Sequence, residues 1–372
     1  MKRFVARVKD CLTVFAFIAV QLSAIATDQI SNSISDSAYK SEFEVTYCAV
    51  DGRPQKLNAF LPAKTDRPVP AVVDIHGGWW TGGHAATSPP GQFTSKGLAF
   101  FSIEYRLGKD GGFPQSIRDC RNAIRFIRKN AKHFNIDPDR ILVTGGSAGG
   151  HLSLMVAMVP EDFDDGGPTP GLEGISAHVS GSFSYIPPTD FVRFWNQGPD
   201  DAITNENETV TFRGPDLKVP NDARPHLRML FHGKALDSEA NRALYTRMCP
   251  IGHLRKDVPP LLICDGEKDP VVPGLQGREL YEKLHTMGAD VTYWMTVNGG
   301  HAYPGGAGFQ KVLDDFITHA LKLNSEPSTS TSNDTAPIWS ATRAWNMEPG
   351  EYTVAVGGSS VPEWVAKFTL RQ

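Results

Sequence analysis

Between the apolar run Ile141-Leu142-Val143 and a stretch of helical character from His151 to Met158 lies the segment Gly145-Gly146-Ser147-Ala148-Gly149-Gly150. A strand that passes through so sharp a turn straight into a helix belongs to an architecture in which strands and helices alternate around a sheet. Gly145 and Gly149 carry no Cβ, which lets the strand and helix approach each other while Ser147 is held in a strained conformation at the apex. A serine in that position points into a cleft.

The rest of the chain agrees with this reading. Strand-like and helix-like stretches alternate from Phe43 to about Leu323, which predicts one α/β domain around a mostly parallel sheet with helices on both faces. Phe43 to Val50 and Gln55 to Leu61, joined by Asp51-Gly52, form an antiparallel hairpin. Ala71 to Ile75, Leu98 to Ile103, Ile141 to Val143 and Leu261 to Ile263 are short apolar runs, as strands covered on both faces must be. Ile117, Cys120, Ile124, Ile127 and Ala131 recur at three- and four-residue steps and predict an amphipathic helix, with Arg118, Arg121, Arg125 and Arg128 on its solvated side. A last helix is expected near Phe309 to Leu323. From about 160 to 220 the pattern loosens into Gly, Pro, Asp and Asn, which reads as an insertion. Its aromatic cluster Phe191, Phe194 and Trp195 points to a wall or lid of a binding site.

The two ends read differently from the middle. Residues 1–26 have the form of a secretory signal: Lys2, Arg3, Arg7 and Lys9, then an apolar stretch from Cys11, closed by Ala24-Ile25-Ala26, after which cleavage is expected. That apolar stretch is shorter than the ~20 residues of a spanning helix, so a secreted product, extracellular or periplasmic, is expected rather than a membrane-anchored one. The main α/β domain then occupies 27–323. Residues 324–337 form a linker that opens with the Ser/Thr/Pro run Asn324 to Ser332, and 338–372 a C-terminal β segment with strands at Glu351 to Gly358 and Val365 to Leu370. This segment resembles the end of the fibronectin-type-III-like module of family 3 glycoside hydrolases. At fewer than ~40 residues it is expected to pack on the main domain or on a partner. The net charge of -4, with Lys and Arg dispersed, gives no basic patch for nucleic acid. Cys48, Cys120, Cys249 and Cys264 remain after the signal, as compatible with buried thiols as with disulfides.

A serine hydroxyl attacks well only when a base takes its proton, and the oxyanion that results needs hydrogen-bond donors. The strand Ala71 to Ile75 leads into His76-Gly77-Gly78-Trp79-Trp80, and the loop Asn298-Gly299-Gly300-His301 presents a histidine between flexible residues. The strand ending at Cys264 is followed by three acids, Asp265, Glu267 and Asp269. With these four motifs in order, residues 43–323 resemble an α/β-hydrolase, a serine carboxylesterase of the acetyl/feruloyl-esterase-like branch related to the hormone-sensitive-lipase type.

That resemblance implies a nucleophile at Ser147, a base at His301 and, on the family's Asp-x-x-Val spacing, an orienting acid at Asp269. It also implies an oxyanion hole of the N–H groups of Gly78, Trp79 and Ala148, although most relatives carry Gly where Trp79 stands. His76 then serves as a structural residue of its loop. Trp79, Trp80 and Trp195 are candidate substrate contacts, and no metal or organic cofactor is implied. The expected partner is a small-molecule or polysaccharide-borne ester, such as acetyl or feruloyl groups on carbohydrate. The alternatives are a prolyl-oligopeptidase-like peptidase, a lipase, and a non-catalytic binding protein on a hydrolase scaffold.

Overall fold

A computed structural model of the protein describes residues 39–323 except 64, 164–166, 197–202, 206–207, 211–222 and 306, and beyond them the backbone of 350–356 and 364–370. The expected signal and linker lie outside these residues. The chain divides into two compact units, Met1–Ser325 and Glu326–Gln372.

In the first unit, β1 (Tyr39–Val50), β2 (Arg53–Pro62), β3 (Val69–Ile75), β4 (Ala99–Ile103), β5 (Ile136–Gly146) and β6 (Gly181–Tyr185) are followed by β9 (Leu261–Gly266) and β10 (Val291–Thr296). A separate small hairpin is made by β7 (Ile203–Asn205) and β8 (Glu208–Val210). The large sheet has the order β1-β2-β4-β3-β5-β6-β9-β10. β2 runs antiparallel to both β1 and β4, and every later pair is parallel. This is the α/β-hydrolase fold. The helices are α1 (Gly91–Thr94), α2 (Gln115–Lys129), α3 (Ala131–Phe134), α4 (Ala148–Met158), α5 (Phe191–Asn196), α6 (Arg224–Leu230), α7 (Glu239–Arg247), α8 (Leu275–Thr286) and α9 (Ala307–Ala320).

Successive side chains of a strand point to opposite faces, so the apolar runs feed two cores at once. Val73, Ile75, Val143 and Ile263 join Ile117, Ile124, Leu152 and Leu280 from α2, α4 and α8. Val72, Leu142, Phe183 and Leu262 join Phe93, Leu313, Phe316 and Ile317 from α1 and α9. Cys48, Cys120, Cys249 and Cys264 are buried free thiols. Among the described residues no helix is long and apolar enough to cross a membrane. In the second unit, β11 (Gly350–Val356) pairs antiparallel with β12 (Trp364–Leu370), Gly350 opposite Leu370 and Val356 opposite Trp364.

Two expectations are corrected. The stretch 160–220 is not one insertion, because β6 lies within it and pairs with β5 on one side and β9 on the other. Its sequence, Gly-Ser-Phe-Ser-Tyr, lacks an apolar run, since Ser182 and Ser184 occupy buried positions; the Ser184 hydroxyl donates to the Gly150 carbonyl at 2.8 Å. Nor do the arginines of α2 form a solvated face. Arg121 and Arg125 are buried, and Glu161 receives them: Arg121 donates to its carbonyl at 2.9 Å and Arg125 to its carboxylate at 3.0 Å. Arg125 also donates to the Ile175 carbonyl and Arg128 to those of Ser176 and His178, so α2 ties down chain that leaves α4.

Removing the Glu161 carboxylate strips these buried guanidinium groups of an acidic partner. Because Glu161 is itself half-exposed, the expected loss in Glu161→Ala is about 2 kcal/mol of unfolding free energy, read from the denaturant midpoint.

Candidate active site

Ser147 sits between the end of β5 and the start of α4 with φ 56° and ψ -121°, a conformation that costs a non-glycine residue roughly 1–3 kcal/mol. Its N–H donates to the Tyr185 carbonyl on β6 at 3.0 Å, and its carbonyl accepts from the His151 N–H at 3.0 Å. The glycines around it are dictated by crowding. A Cβ on Gly149 would lie 1.9 Å from the Ile75 carbonyl oxygen, and one on Gly145 would lie 2.5 Å from the Gly149 carbonyl oxygen. Strand β3, strand β5 and helix α4 therefore cross where only backbone fits.

The loop after β3 lies directly against this turn, since a Cβ on Gly77 would sit 2.9 Å from the Gly146 carbonyl oxygen and 3.5 Å from Ser147 Cβ. Gly78 has φ 115°, Trp79 φ 56° and Trp80 φ 58°. The loop closes through the Gly78 carbonyl, which accepts from the N–H groups of Thr81 and Gly82 at 3.0 Å. The N–H groups of Gly78, Trp79 and Ala148 donate to no acceptor among the described residues. His76 is a structural member of the loop: its Nδ1 contacts the Gly77 carbonyl at 2.8 Å, its ring stacks on Tyr105 at 4.4 Å, and its carbonyl accepts from the Tyr105 hydroxyl.

β9 and β10 are parallel neighbours, with Gly266 opposite Thr296, so the loops leaving their carboxyl ends meet. There His301 Nδ1 lies 2.7 Å from Asp269 Oδ2. The other carboxylate oxygen of Asp269 accepts from the N–H groups of Val271 and Val272 at 2.8 and 3.0 Å, so each oxygen is engaged and the carboxylate is fixed. The Asp269 side chain is fully buried, while that of His301 is 24% exposed and reaches the surface. The two other acids are spent elsewhere. Glu267 accepts from the Asn298 N–H at 2.7 Å and braces the histidine loop. Asp265 is buried beside α8 with the Tyr293 hydroxyl at 3.1 Å, and burial pushes its carboxyl well above the usual range. Ser147, Asp269, His301 and the Gly78–Trp79 loop thus leave the carboxyl ends of β5, β9, β10 and β3, on one edge of the parallel sheet.

The three tryptophans part company. Trp80 is buried, edge-on to Phe113 and Phe191, and its indole N–H donates to His151 Nδ1 at 3.3 Å. It belongs to the core, and its expected role as a substrate contact is corrected: the turn that presents Trp79 rotates the next side chain inward. Trp79 is half-buried and stacks against Phe194 of α5 (5.9 Å, 5°) and His226 of α6 (4.6 Å, 19°). Trp195, also half-buried, meets Tyr245 edge-on and has the Arg228 guanidinium 5.4 Å from its ring.

His151 carried no sequence signal beyond its place in the helix. Its Nε2 lies 2.8 Å from the Met248 carbonyl while Nδ1 accepts from Trp80, so the hydrogen bonds select the neutral tautomer with the proton on Nε2. Burial pushes its pKa down to about 3. Among the described residues no cluster of His, Cys, Asp and Glu is arranged to hold a metal ion.

The BD-FAE family model matches residues 57–284, more than half of the chain. The chain belongs to the BD-FAE family. The matched span takes in the Ser147 turn, the His76–Trp80 loop and Asp269, and stops short of His301. Among curated relatives of this BD-FAE chain, Esterase LipQ of Mycobacterium tuberculosis is 28% identical over 241 residues, covering 64% of this chain and 51% of LipQ. Carboxylesterase NlhH of the same species is 36% identical over 115 residues, 30% of this chain and 35% of NlhH. The chain spans about half the length of the first of these, and less of the second. Among solved structures, a truncated form of a carbohydrate esterase from gut microbiota is 26% identical with a TM-score of 0.63, covering 77% of this chain and 99% of that one. The butyrate-bound esterase Est2 of Thermogutta terrifontis, 22% identical with a TM-score of 0.52 and covering 77% and 93% of the two chains, shares the fold.

The neutral His151 links this site to acid stability. Below about pH 6.5 the unfolded chain takes up a proton that the native histidine refuses until about pH 3, so the stability is complete above pH 6.5 and falls as pH drops towards 3. Between pH 7 and 5, denaturant titration is expected to show the wild type losing about 2 kcal/mol more than His151→Gln.

Proposed function

We propose that this protein hydrolyses carboxylic esters through an acyl-enzyme on Ser147. The observation that carries the proposal is the 2.7 Å Asp269–His301 hydrogen bond on the sheet edge where the Ser147 turn also emerges. With Nδ1–H donating to Asp269, His301 offers Nε2 as the base. Ser147 Oγ attacks the ester carbonyl as Nε2 takes its proton. The oxyanion that forms is met by the N–H groups of Gly78, Trp79 and Ala148, which have no other acceptor among the described residues. The tetrahedral intermediate collapses, the proton on Nε2 passes to the departing alkoxide, and the acyl group stays on Ser147. A water that gives its proton to Nε2 then attacks the acyl-enzyme; the Ser147 Oγ–acyl bond breaks as Nε2 returns that proton to Oγ, and the carboxylic acid is released. The esterase names of the relatives support the reaction class.

On this reading Ser147→Ala loses para-nitrophenyl acetate hydrolysis by at least ~10³-fold and Asp269→Asn by at least ~10²-fold, with far-UV circular dichroism unchanged. Activity that survives Ser147→Ala sinks the serine mechanism. A wild type that is inert and takes no fluorophosphonate label favours the binding-protein alternative.

The substrate class we propose is an acetyl or feruloyl ester on carbohydrate. The similar solved structure named as a carbohydrate esterase supports it, as do the signal-like residues 1–26 and the half-buried aromatic Trp79 beside the Ser147 turn. On acetylated or feruloylated xylo-oligosaccharides, kcat/KM is expected to exceed that on para-nitrophenyl acetate by ~10-fold or more. Equal or lower values would remove the carbohydrate from the assignment while leaving the esterase reading intact.

A further inference from the structure

The backbone of Trp79 is in the left-handed region at φ 56°, where a residue with a side chain is strained and a glycine would not be. Trp80 follows in the same region and is secured twice: its carbonyl accepts from the Gly108 N–H at 2.8 Å, and its indole is locked by His151 in the core. Trp79 has no such backbone tie, because its N–H donates to no acceptor among the described residues. What holds it is the side chain, stacked near-parallel on Phe194 of α5 and on His226 of α6. These two helices flank residues 197–222 in sequence, and of the other candidate groups they carry only Trp195, on α5.

Resting on the esterase reading above, we infer that Phe194 and His226 are positioning residues that aim the Trp79 N–H at the oxyanion. A turn that a glycine would adopt freely is made here by a residue that resists it, and a two-ring stack supplies the restraint that the backbone lacks. Affinity for a small ester such as para-nitrophenyl acetate does not depend on that restraint, since the N–H is used most when the carbonyl oxygen becomes an oxyanion. Removing an oxyanion donor outright costs ~10²–10³ in kcat. Loosening its aim costs less, about tenfold.

The test is steady-state hydrolysis of para-nitrophenyl acetate by His226→Ala, His226→Phe, Trp79→Gly and the double variant Trp79→Gly/His226→Ala, with Ser147→Ala alongside. His226→Ala is expected to lose about tenfold in kcat with KM within about twofold, and His226→Phe, which keeps a ring, to stay within about twofold of the wild type. In the Trp79→Gly background, where there is no indole to stack and no strain to restrain, His226→Ala is expected to change kcat by less than about twofold. If His226→Ala does not fold, Phe194→Leu is read in the same way. An equal loss from His226→Ala in both backgrounds, a His226→Phe as slow as the alanine variant, or a raised KM at constant kcat would overturn the inference. Those outcomes count against the stack alone so long as Ser147→Ala is inactive. A wild type with no activity and no fluorophosphonate label overturns the esterase reading and this inference together.

Discussion

Everything in the site hangs on one close crossing. The carbonyl of Ile75 at the end of β3 lies against Gly149 of α4, and the carbonyl of Gly149 lies against Gly145 of β5, at separations that a Cβ cannot share. This contact draws β5 sharply into α4 and forces Ser147 into its strained conformation, and it also brings the loop after β3 against the same turn. Strain at Ser147 is sustained because strands and helix are packed around it on both faces of the sheet.

The remaining groups arrive by a looser logic. Parallel strands end on one edge, so loops far apart in sequence are delivered to the same place and only local hydrogen bonding decides which side chain of each loop does what. The three acids after β9 show this. One is enclosed by its neighbours and by α8, one braces the histidine loop, and only Asp269 combines an engaged, immobile carboxylate with reach to His301. The same sorting separates two adjacent tryptophans, one sealed in the core against His151 and the other held at the edge of the site by helices α5 and α6. The α2 arginines extend the scheme away from the site. Their burial against Glu161 anchors the chain that leaves α4, so the helix that begins at the Ser147 turn is fastened at its far end as well.

The order of motifs, the hairpin at the start, the strands written as apolar runs and the tight turn at Ser147 could be read in the sequence, because each depends on neighbours along the chain; the choice of Asp269 among three acids rested on the Asp-x-x-Val spacing of the resembled family. What the sequence by itself determined was therefore the fold class and the strand, turn and loop motifs that carry the candidate groups. The tertiary structure alone decided which polar and aromatic side chains are buried. It placed β6 in the middle of the sheet despite its serines, turned Arg121 and Arg125 inward, sealed Trp80 away, and brought His226 and Phe194 to Trp79. The physical reason is that burial of a polar or aromatic group is settled by partners distant in sequence: a carbonyl for a serine hydroxyl, a carboxylate for a guanidinium, another ring for an indole. Those partners meet only once the sheet has formed.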